Sequence, residues 1–361
     1  MNCIKLKRTI TMVACIISLL TLSSESIALP ITAFKPFTPI DMKAAPNRYG
    51  GIDYMFSDFP ESITDYQFDN GVMARHTISR QVPGARDYAV EFYHMNKTKL
   101  PLRVGVALIN KSSEASTATI NNIAKGDCLR GSGLEISMPS QVQRDYQSSE
   151  NHFPLEVPGA KDGIPGCAIA VEQAFPQNSL AYGKVKIYIP FKSNLEIRIF
   201  IIRAEADDDC IAVSKECDPG TTKGFTTGMF TSDQRIIYFD TTAAIKTFYL
   251  GFVNDHYNPN EYEASSLPVN GRVLLEGNYG IIYVIKFTNM DKSKINGLRI
   301  TPQWKYVHGG QEYVVFDGYK WTVIHISDGK SKDIYIPSTG ELKFILPGSG
   351  CGNICFDLIQ R

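Results

Sequence analysis

The sequence predicts an all-β protein with two antiparallel β-sandwich-like domains after a signal peptide. Three observations favour this fold class: short runs in which apolar and polar residues alternate, turn-forming breaks between the runs, and a chain too long for one core. Beyond the N-terminal segment, no stretch shows helical periodicity over three turns. Short strands separated by turns are typical of sandwiches and barrels.

The first 28 residues have the layout of a secretory signal peptide. Lys5, Lys7 and Arg8 form a basic head, residues 10–22 are mainly apolar, and small residues at 26 and 28 suit a cleavage site. We therefore expect residues 1–28 to be removed and the mature chain to be secreted, extracellular or at the cell surface. We expect no membrane span in the mature chain, because no later apolar segment reaches spanning length.

Proline and glycine divide the rest of the chain. Four prolines within residues 29–51 predict an extended leader, because proline disfavours both helices and sheet interiors. The segment 218–224, Asp-Pro-Gly-Thr-Thr-Lys-Gly, predicts a linker. We therefore expect a first β-sandwich domain at residues 52–217 and a second at 225–361.

Strand patterns recur in both predicted domains. Residues 88–95 and 102–109 are two such patterns on either side of a polar break. Lys-Ile-Tyr-Ile-Pro at 186–190 resembles Asp-Ile-Tyr-Ile-Pro at 333–337, and another strand pattern follows each. Duplication of one domain would explain this recurrence, and chance similarity between strands of like composition is the alternative.

The charge balance argues against one class of partner. The chain has 37 Lys and Arg residues and 37 Asp and Glu residues, so it has no net field that would attract a polyanion. We therefore expect no nucleic-acid partner.

Six cysteines remain after the predicted cleavage, and an even number in an exported chain indicates disulfides. Six cysteines allow 15 pairings. We favour the two local pairs and the pair that they leave over, and the alternative is that some thiols stay reduced. The favoured pairs are Cys210–Cys217, Cys351–Cys355 and Cys128–Cys167.

Two turn signals between residues 301 and 327 predict a meander of three strands. Gly309-Gly310 and Asp317-Gly318 suit two-residue hairpin turns, and such turns fix the register of the flanking strands. In that register Trp304 lies opposite Val315, Tyr306 opposite Tyr313 and His308 opposite Gln311, and Lys320 shares their face. The other face is apolar and predicts the core side, with Val307, Val314, Phe316, Tyr319, Trp321 and Val323.

This aromatic and polar face is the predicted ligand-binding site, formed by Trp304, Tyr306, Tyr313, His308 and Lys320. Its flat rings could stack on sugars or anchor a partner protein, so we expect a carbohydrate or a surface protein as ligand. The alternative is that both faces of the sheet are covered and these rings belong to the core.

Motifs of known chemistry are missing from the sequence. It contains no zinc-protease, nucleophile-elbow, P-loop or Cys-x-x-Cys motif, and its six histidines show no paired metal spacing. We expect no metal centre and no cofactor. The exception is calcium, for which the acidic stretches at 207–209 and 254–263 are candidate sites, and solvated turns are the alternative.

Two Asn-x-Ser/Thr sequons, at Asn96 and Asn110, follow predicted strands. A glycan would fit there in a host that glycosylates, because the ends of strands lie at the surface.

Four short stretches carry a resemblance to known proteins. They are Phe-Tyr-His-Met-Asn at 92–96, Val-Ala-Leu-Ile-Asn at 106–110, Gly-Asn-Tyr-Gly-Ile-Ile-Tyr at 277–283 and Leu-Pro-Gly-Ser-Gly at 346–350. They resemble segments of exported proteins of Gram-positive bacteria, some of which carry copper-amine-oxidase-like N-terminal modules. The resemblance implies a secreted, β-rich, surface-associated protein and carries over no copper ligand.

Together these observations predict a non-enzymatic binding or structural protein outside the cytoplasm. The alternative is a secreted hydrolase that acts on polysaccharide, because the paired carboxylates of glycosidases are close in space but not in sequence. No catalytic residue and no oligomeric state follow from the sequence.

Overall fold

The computed structural model describes residues 41–58, 61–66, 68, 74–191, 193–205, 209–214, 227–250, 275, 279–303, 310–348 and 354–360. Strands dominate these residues, and they form four sheets arranged as two sandwiches. The predicted all-β class is therefore confirmed. All the described residues belong to one compact unit that spans Phe37–Arg361.

The first sandwich consists of sheets I and II. Sheet I contains, in spatial order, β12 (Gly228–Phe230), β2 (Asp53–Ser57), β5 (Arg86–Asn96), β10 (Ser179–Ile189), β7 (Ser116–Leu129) and β8 (Phe153–Val157), and β3 (Ser62–Ile63) pairs with β5. Sheet II contains β4 (Ala74–Gln81), β11 (Leu195–Arg203), β6 (Leu102–Asn110) and β9 (Gly166–Phe175).

The second sandwich consists of sheets III and IV. Sheet III contains β1 (Asp41–Ala44), β13 (Gln234–Asp240), β15 (Ile282–Thr288), β20 (Glu341–Ile345), β17 (Gln311–Phe316) and β18 (Trp321–Ile326). Sheet IV contains β14 (Thr247–Leu250), β21 (Ile354–Gln360), β16 (Ile295–Pro302) and β19 (Lys332–Tyr335).

Alternation along the strands builds each core. In β10, Val185, Ile187 and Ile189 point between sheets I and II and are buried there. Side chains on opposite faces of a strand alternate, so Lys184 and Tyr182 point to the other face of sheet I. That face is also buried, because it packs against helix α1 (Ser137–Ser148).

The helix α1 is an element that the sequence analysis missed. It lies in the connection between β7 and β8, and it contacts β7 and β10 of sheet I and β17 and β18 of sheet III. Its buried face is partly polar, since Ser140 and Gln143 are buried beside Pro139, Val142 and Tyr146. A helix whose buried face is polar lacks the apolar periodicity by which helices are predicted. A second, short helix, α2 (Asp209–Ser214), packs on the outer face of sheet II.

The two sandwiches have the same strand order. The order β4-β11-β6-β9 of sheet II corresponds to β14-β21-β16-β19 of sheet IV, and β5-β10-β7-β8 of sheet I corresponds to β15-β20-β17-β18 of sheet III. The correspondence extends to direction, because β2 is parallel to β5 and β13 is parallel to β15, whereas most other pairs are antiparallel. Such agreement over ten strands indicates an internal duplication.

The two copies exchange their first strands. β1 precedes β2 in the chain but pairs with β13 of the second sandwich, and β12 precedes β13 but pairs with β2 of the first. The predicted leader at 29–51 is therefore wrong for residues 41–44, which form an edge strand. Each sandwich is completed by a strand from the other half of the chain, so the described residues before and after the predicted boundary at 218–224 are interleaved.

The register of the strands reveals a sequence repeat without gaps. The pairs Lys184–Glu91 and Glu341–Lys286 occupy corresponding places in the two sandwiches, and they align Tyr88–Leu100 with Tyr283–Ile295. Five positions in this alignment are identical: Tyr88/Tyr283, Phe92/Phe287, Met95/Met290, Lys97/Lys292 and Lys99/Lys294. The recurrence proposed from the sequence, at 186–190 and 333–337, falls on β10 and β19, which do not correspond. Duplication is thus supported by a different pair of segments.

Candidate functional site

The predicted aromatic face is not formed as the sequence suggested. Trp304, Tyr306 and His308 lie outside the residues that the structure describes. Tyr313 is fully buried between sheets III and IV, with its ring 5.1 Å from that of Phe344. The prediction that Tyr313 presents its ring to a ligand is therefore wrong, and only Lys320 among the described members is exposed.

The predicted register also fails, because β17 lies between β18 and β20. Val315 pairs with Thr322 on one side and with Phe344 on the other, so its two strand partners are not the one that was predicted. Both faces of sheet III are apolar: one faces sheet IV, and the other carries Val314 against α1 and the first sandwich. Apolar pattern alone could not tell which face of β17 was exposed, since Tyr313 and Val314 are buried on opposite faces of this strand.

An exposed aromatic surface exists instead at the turns that join the strands. We define the second tip as Tyr319, Lys320, Tyr335, Lys292 and Lys294. Tyr319 was predicted to face the core, but its side chain is 95% exposed, and Tyr335 is 80% exposed. The turn between β17 and β18 is longer than predicted, because Phe316 pairs with Trp321 and leaves residues 317–320 in the turn.

Local hydrogen bonds hold this turn in place. The Asp317 carboxylate accepts the backbone N–H groups of Tyr319 and Lys320 at 2.9 and 3.0 Å. These bonds, led by the one from Lys320, lower the pKa of Asp317. Gly318 has a φ of 89°, and a Cβ there would lie 3.0 Å from Pro337, so the turn packs directly on the connection between β19 and β20.

The same connection receives a neighbouring turn. Lys292, between β15 and β16, donates its ammonium group to the carbonyl oxygen of Ser338 at 2.7 Å. Three turns thus meet at one end of the second sandwich. Tyr319 and Lys320, in one of these turns, and Tyr335, at the end of β19, have their side chains exposed to solvent there.

A group of charged and polar side chains is buried beneath α1. We define the buried cluster as Glu91, Lys184, Gln143 and Tyr182. The Lys184 ammonium lies 3.0 Å from a Glu91 carboxylate oxygen, and both side chains have no exposed surface. Tyr182 donates to the other Glu91 oxygen, and the Gln143 amide donates to Glu91 at 3.1 Å.

Lys184 is satisfied by further contacts. Its ammonium donates to the Gly280 carbonyl oxygen at 2.8 Å and approaches the Gln143 amide oxygen at 3.4 Å. Its charge also lies 5.2 and 5.0 Å from the ring centres of Tyr54 and Tyr146. Gly280 has a φ of 73°, and a Cβ there would overlap the Glu91 carboxylate, so this position requires glycine.

Burial keeps the tyrosines around this cluster protonated. Desolvation, followed by the nearby charge of Glu91, raises the pKa of Tyr54 and Tyr182 well above the ordinary value. Burial also raises the pKa of Tyr146. Tyr182 therefore remains a hydrogen-bond donor to Glu91 and supplies no phenolate. The cluster is closed to solvent and hydrogen-bonded at both charges, which is the arrangement of a structural ion pair.

A serine and a histidine also meet in the first core. His94 Nε2 lies 3.1 Å from the Ser57 hydroxyl oxygen, and Ser57 donates its only hydrogen to Thr77 at 2.6 Å. His94 must then be the donor to Ser57, so it cannot remove a proton from that serine as a catalytic base does. All three side chains are buried. The pair therefore satisfies polar groups in the core.

The cysteines depart in part from the predicted pairing. Cys128 is buried and forms no disulfide, so the predicted Cys128–Cys167 bond is wrong. Cys210 of α2 instead donates its thiol to the carbonyl oxygen of Cys167 at 3.3 Å. Cys217 and Cys351 lie outside the described residues, so Cys210–Cys217 and Cys351–Cys355 stay predictions.

The two sequons are buried in the folded chain. Asn96 donates its amide to the carbonyl oxygens of Leu100 and Phe175, at 2.7 and 3.0 Å. Asn110 donates its amide in the same way to Glu114 at 2.8 Å. The expectation that a glycan fits at these positions is wrong, because both amides are enclosed and already bonded.

Other predicted chemistry lies mostly outside the described part of the chain. The acidic stretch 207–209 is described only at Asp209, and 254–263 lies wholly outside, so the calcium expectation stays a prediction. Among the described residues, no three His, Cys, Asp or Glu side chains are grouped so that they could hold a metal ion. No helix within the described ranges is long and apolar enough to cross a membrane.

No family model and no curated protein matches the chain. Two solved structures are similar in part. The CUB1-EGF-CUB2 domains of rat MASP-1 are 11% identical, with 82% of this chain and 98% of that chain covered and a TM-score of 0.16. The N-terminal CBM22-1-CBM22-2 tandem domain of Paenibacillus barcinonensis Xyn10C is 10% identical, with 73% and 78% covered and a TM-score of 0.14. Scores this low support no argument about fold or function.

Proposed function

We propose that the chain is an exported, non-enzymatic binding protein that meets a carbohydrate ligand at the second tip. The observation that carries the proposal is the near-complete exposure of Tyr319 and Tyr335 on two adjoining parts of one sandwich. Covering a large aromatic side chain removes apolar surface from water, which is favourable. Rings that are this exposed are therefore suited to contact a partner molecule.

Carbohydrate fits this surface by its chemistry. A sugar ring has a C–H face that stacks on a tyrosine ring, and its hydroxyl and acidic groups accept hydrogen bonds from ammonium groups such as that of Lys320. The side chain of Asp317 is occupied by its own turn, and that of Asp291 lies 3.2 Å from the Lys294 ammonium, so these two carboxylates already have partners within the chain.

The hydrolase alternative finds less support among the described residues. Glu91 is enclosed by its bonds to Lys184, Gln143 and Tyr182. Asp233 is also buried and accepts the backbone N–H of Ile52 at 3.0 Å. A glycosidase needs two carboxylates that a substrate and a water molecule can reach, and these two are not reachable in this conformation.

Export is the part of the proposal that rests on the sequence alone. The basic head, apolar run and small residues of positions 1–28 support it.

The experiment is a binding survey of the mature chain, residues 29–361, on a glycan array and on cell-wall preparations. The test variant is Tyr319→Ala/Tyr335→Ala. The control is Phe191→Ala, which removes another ring, 74% exposed, from the turn between β10 and β11. We expect binding by the wild type and the control and a loss of at least tenfold in the test variant.

Two outcomes would overturn the proposal. One is equal binding by all three proteins, which would exclude the second tip as the site. The other is no binding by any of them, combined with ordered self-association of the purified chain, which would favour a structural role in a coat or layer.

A further inference from the structure

Because the fold is duplicated, the sequence of the first sandwich can be aligned with that of the second. Identities between the copies that lie in the core are explained by packing: Tyr88 and Tyr283 are both fully buried, as are Phe92 and, nearly so, Phe287. An identity at an exposed position needs another explanation, because surface positions are the most tolerant of substitution.

Two identical positions are exposed lysines. Lys97 and Lys292 correspond, as do Lys99 and Lys294, and all four are exposed. They lie on the turns that follow β5 and β15, at the same end of each sandwich.

Their local contacts differ between the copies. In the second sandwich Lys294 lies 3.2 Å from the carboxylate of Asp291. The corresponding position in the first sandwich is Asn96, which has no charge and whose amide is buried. Lysine is thus present at this position in both copies, whereas the acidic residue that pairs with it is present only in the second. A lysine that is kept without this acidic partner points to a ligand outside the chain.

The turn of the first sandwich also carries an exposed aromatic ring. The carboxylate of Asp65 accepts the backbone N–H of Lys99 at 3.0 Å, and the Ile63 carbonyl oxygen accepts that of Lys97 at 2.7 Å, so the segment that ends at Tyr66 is bonded to the lysine turn. Tyr66 is 81% exposed. We define the first tip as Tyr66, Lys97 and Lys99. It combines an exposed tyrosine with exposed lysines, as the second tip does with two tyrosines and three lysines.

We propose that the first tip is a second binding site, and that the ligand of both tips is an acidic polysaccharide. The inference rests on the proposed function of the second tip. Lysine ammonium groups favour carboxylate, sulfate or phosphate groups, and the tyrosine supplies a stacking surface. Two like sites on one chain suit a polymer whose units repeat, because binding at the first site makes binding at the second intramolecular.

The test uses the mature chain with polygalacturonate and chondroitin sulfate as acidic polymers and dextran as the neutral control. Short oligosaccharides of the polymer that binds then give the number of sites by calorimetry. The variants are Lys97→Ala/Lys99→Ala and Tyr66→Ala at the first tip and Tyr319→Ala at the second. The matched control is Lys161→Ala, which removes an exposed lysine from the connection between β8 and β9.

The wild type is expected to bind two oligosaccharides per chain, and a variant of either tip only one, with a similar dissociation constant. The acidic polymer is expected to bind at least tenfold more weakly to each single-tip variant, because the second contact is lost. High salt is expected to weaken binding, because exposed charges are screened. Circular dichroism and the thermal midpoint show that each variant is folded.

The possible failures separate the two proposals. One oligosaccharide per wild-type chain, lost in Tyr319→Ala and unaffected at the first tip, would overturn this inference and leave the proposed function standing. Equal binding of dextran would overturn the acidic ligand class. No binding to any probe would overturn this inference, and the glycan array would then decide the proposed function separately.

Discussion

The two copies of the duplicated fold carry an ion pair at the same place, but one pair is buried and the other is partly exposed. In the first sandwich Glu91 on β5 faces Lys184 on β10 at 3.0 Å, with neither side chain exposed. In the second, Lys286 on β15 faces Glu341 on β20 at 3.8 Å, with 31% and 34% of the side chains exposed. The signs are reversed, so cross-strand complementarity was kept while the residues changed.

The difference arises from what covers the sheet. The connection between β7 and β8 contains α1, which closes over Glu91 and Lys184 and contributes Gln143 to them. The corresponding connection, between β17 and β18, is the four-residue turn that carries Tyr319 into solvent. One copy thus uses this connection to build an interface between the sandwiches, and the other uses it to present a surface. A cluster rich in titratable groups is therefore a structural feature here, and the candidate binding site lies where the fold stays open.

The largest expected effect is the removal of the buried cation. Lys184→Met leaves the Glu91 carboxylate buried without its counter-charge, and such a change costs about 3–5 kcal/mol of unfolding free energy. Denaturant unfolding measures it. The double variant Glu91→Leu/Lys184→Met removes both charges and is expected to lose less than the single variant. A single variant as stable as the wild type would contradict the assignment of this pair as structural.

The next largest effect is a pH dependence of stability that arises from Asp233, which lies between β12 and β13. Burial raises the pKa of Asp233 to about 6, against the opposing effect of Lys184 and of the Ile52 N–H group. Between the unfolded pKa of about 3.9 and the folded value, the native chain holds a proton that the unfolded chain has released. Stability is therefore expected to fall as pH rises from 4 to 6, by up to about 3 kcal/mol.

Asp233→Asn removes this titration, so the test compares how steeply the unfolding free energy changes with pH in the wild type and in the variant. Unfolding free energies of the wild type and the variant, measured across pH 4–6, are expected to converge or cross as the pH falls. Parallel curves over that range would show that Asp233 does not titrate in this way.

A much smaller effect is expected for the exposed pair. Lys286→Met removes the counterpart of Lys184, but its partner Glu341 remains in contact with water and with Lys343, 3.9 Å away. Exposed pairs contribute about 0–1 kcal/mol, so the same measurement should show a loss well below that of Lys184→Met. Equal losses for the two variants would mean that burial does not distinguish the pairs.

The smallest effect on stability is expected at the second tip. Tyr319→Ala and Tyr335→Ala alter side chains that are mostly in water, and such substitutions change unfolding free energy by about 0.5 kcal/mol or less. A thermal melt checks this. A large loss would show that the rings pack on the protein and are not held out for a ligand.

Several parts of the fold could be read from the sequence. The patterns at 88–95 and 102–109 predicted β5 and β6. The helix α1 could not be read, because Ser140 and Gln143 on its buried face are polar. The exchange of β1 and β12 is a choice between distant partners, and no local pattern specifies it.

The candidate site was harder to predict than the fold. Tyr313 and Val314 are buried on opposite faces of β17, so alternation gave no sign of which face met water. One signal was available: the match between Tyr88–Leu100 and Tyr283–Ile295 is visible in the sequence. This match would have identified the lysines that follow β5 and β15. Only the strand order shows that the two turns lie at corresponding ends of the two sandwiches.

The most direct test of the central claim compares the buried cluster with the second tip, by measuring both glycan binding and stability for a variant of each. Lys184→Met and Tyr319→Ala/Tyr335→Ala are each assayed for glycan binding, at a temperature below both unfolding midpoints. The account predicts a strongly destabilised Lys184→Met that still binds like the wild type, and a stable tyrosine variant that has lost binding. A folded Lys184→Met that no longer binds, beside a tyrosine variant that does, would contradict it and place the site at the buried cluster.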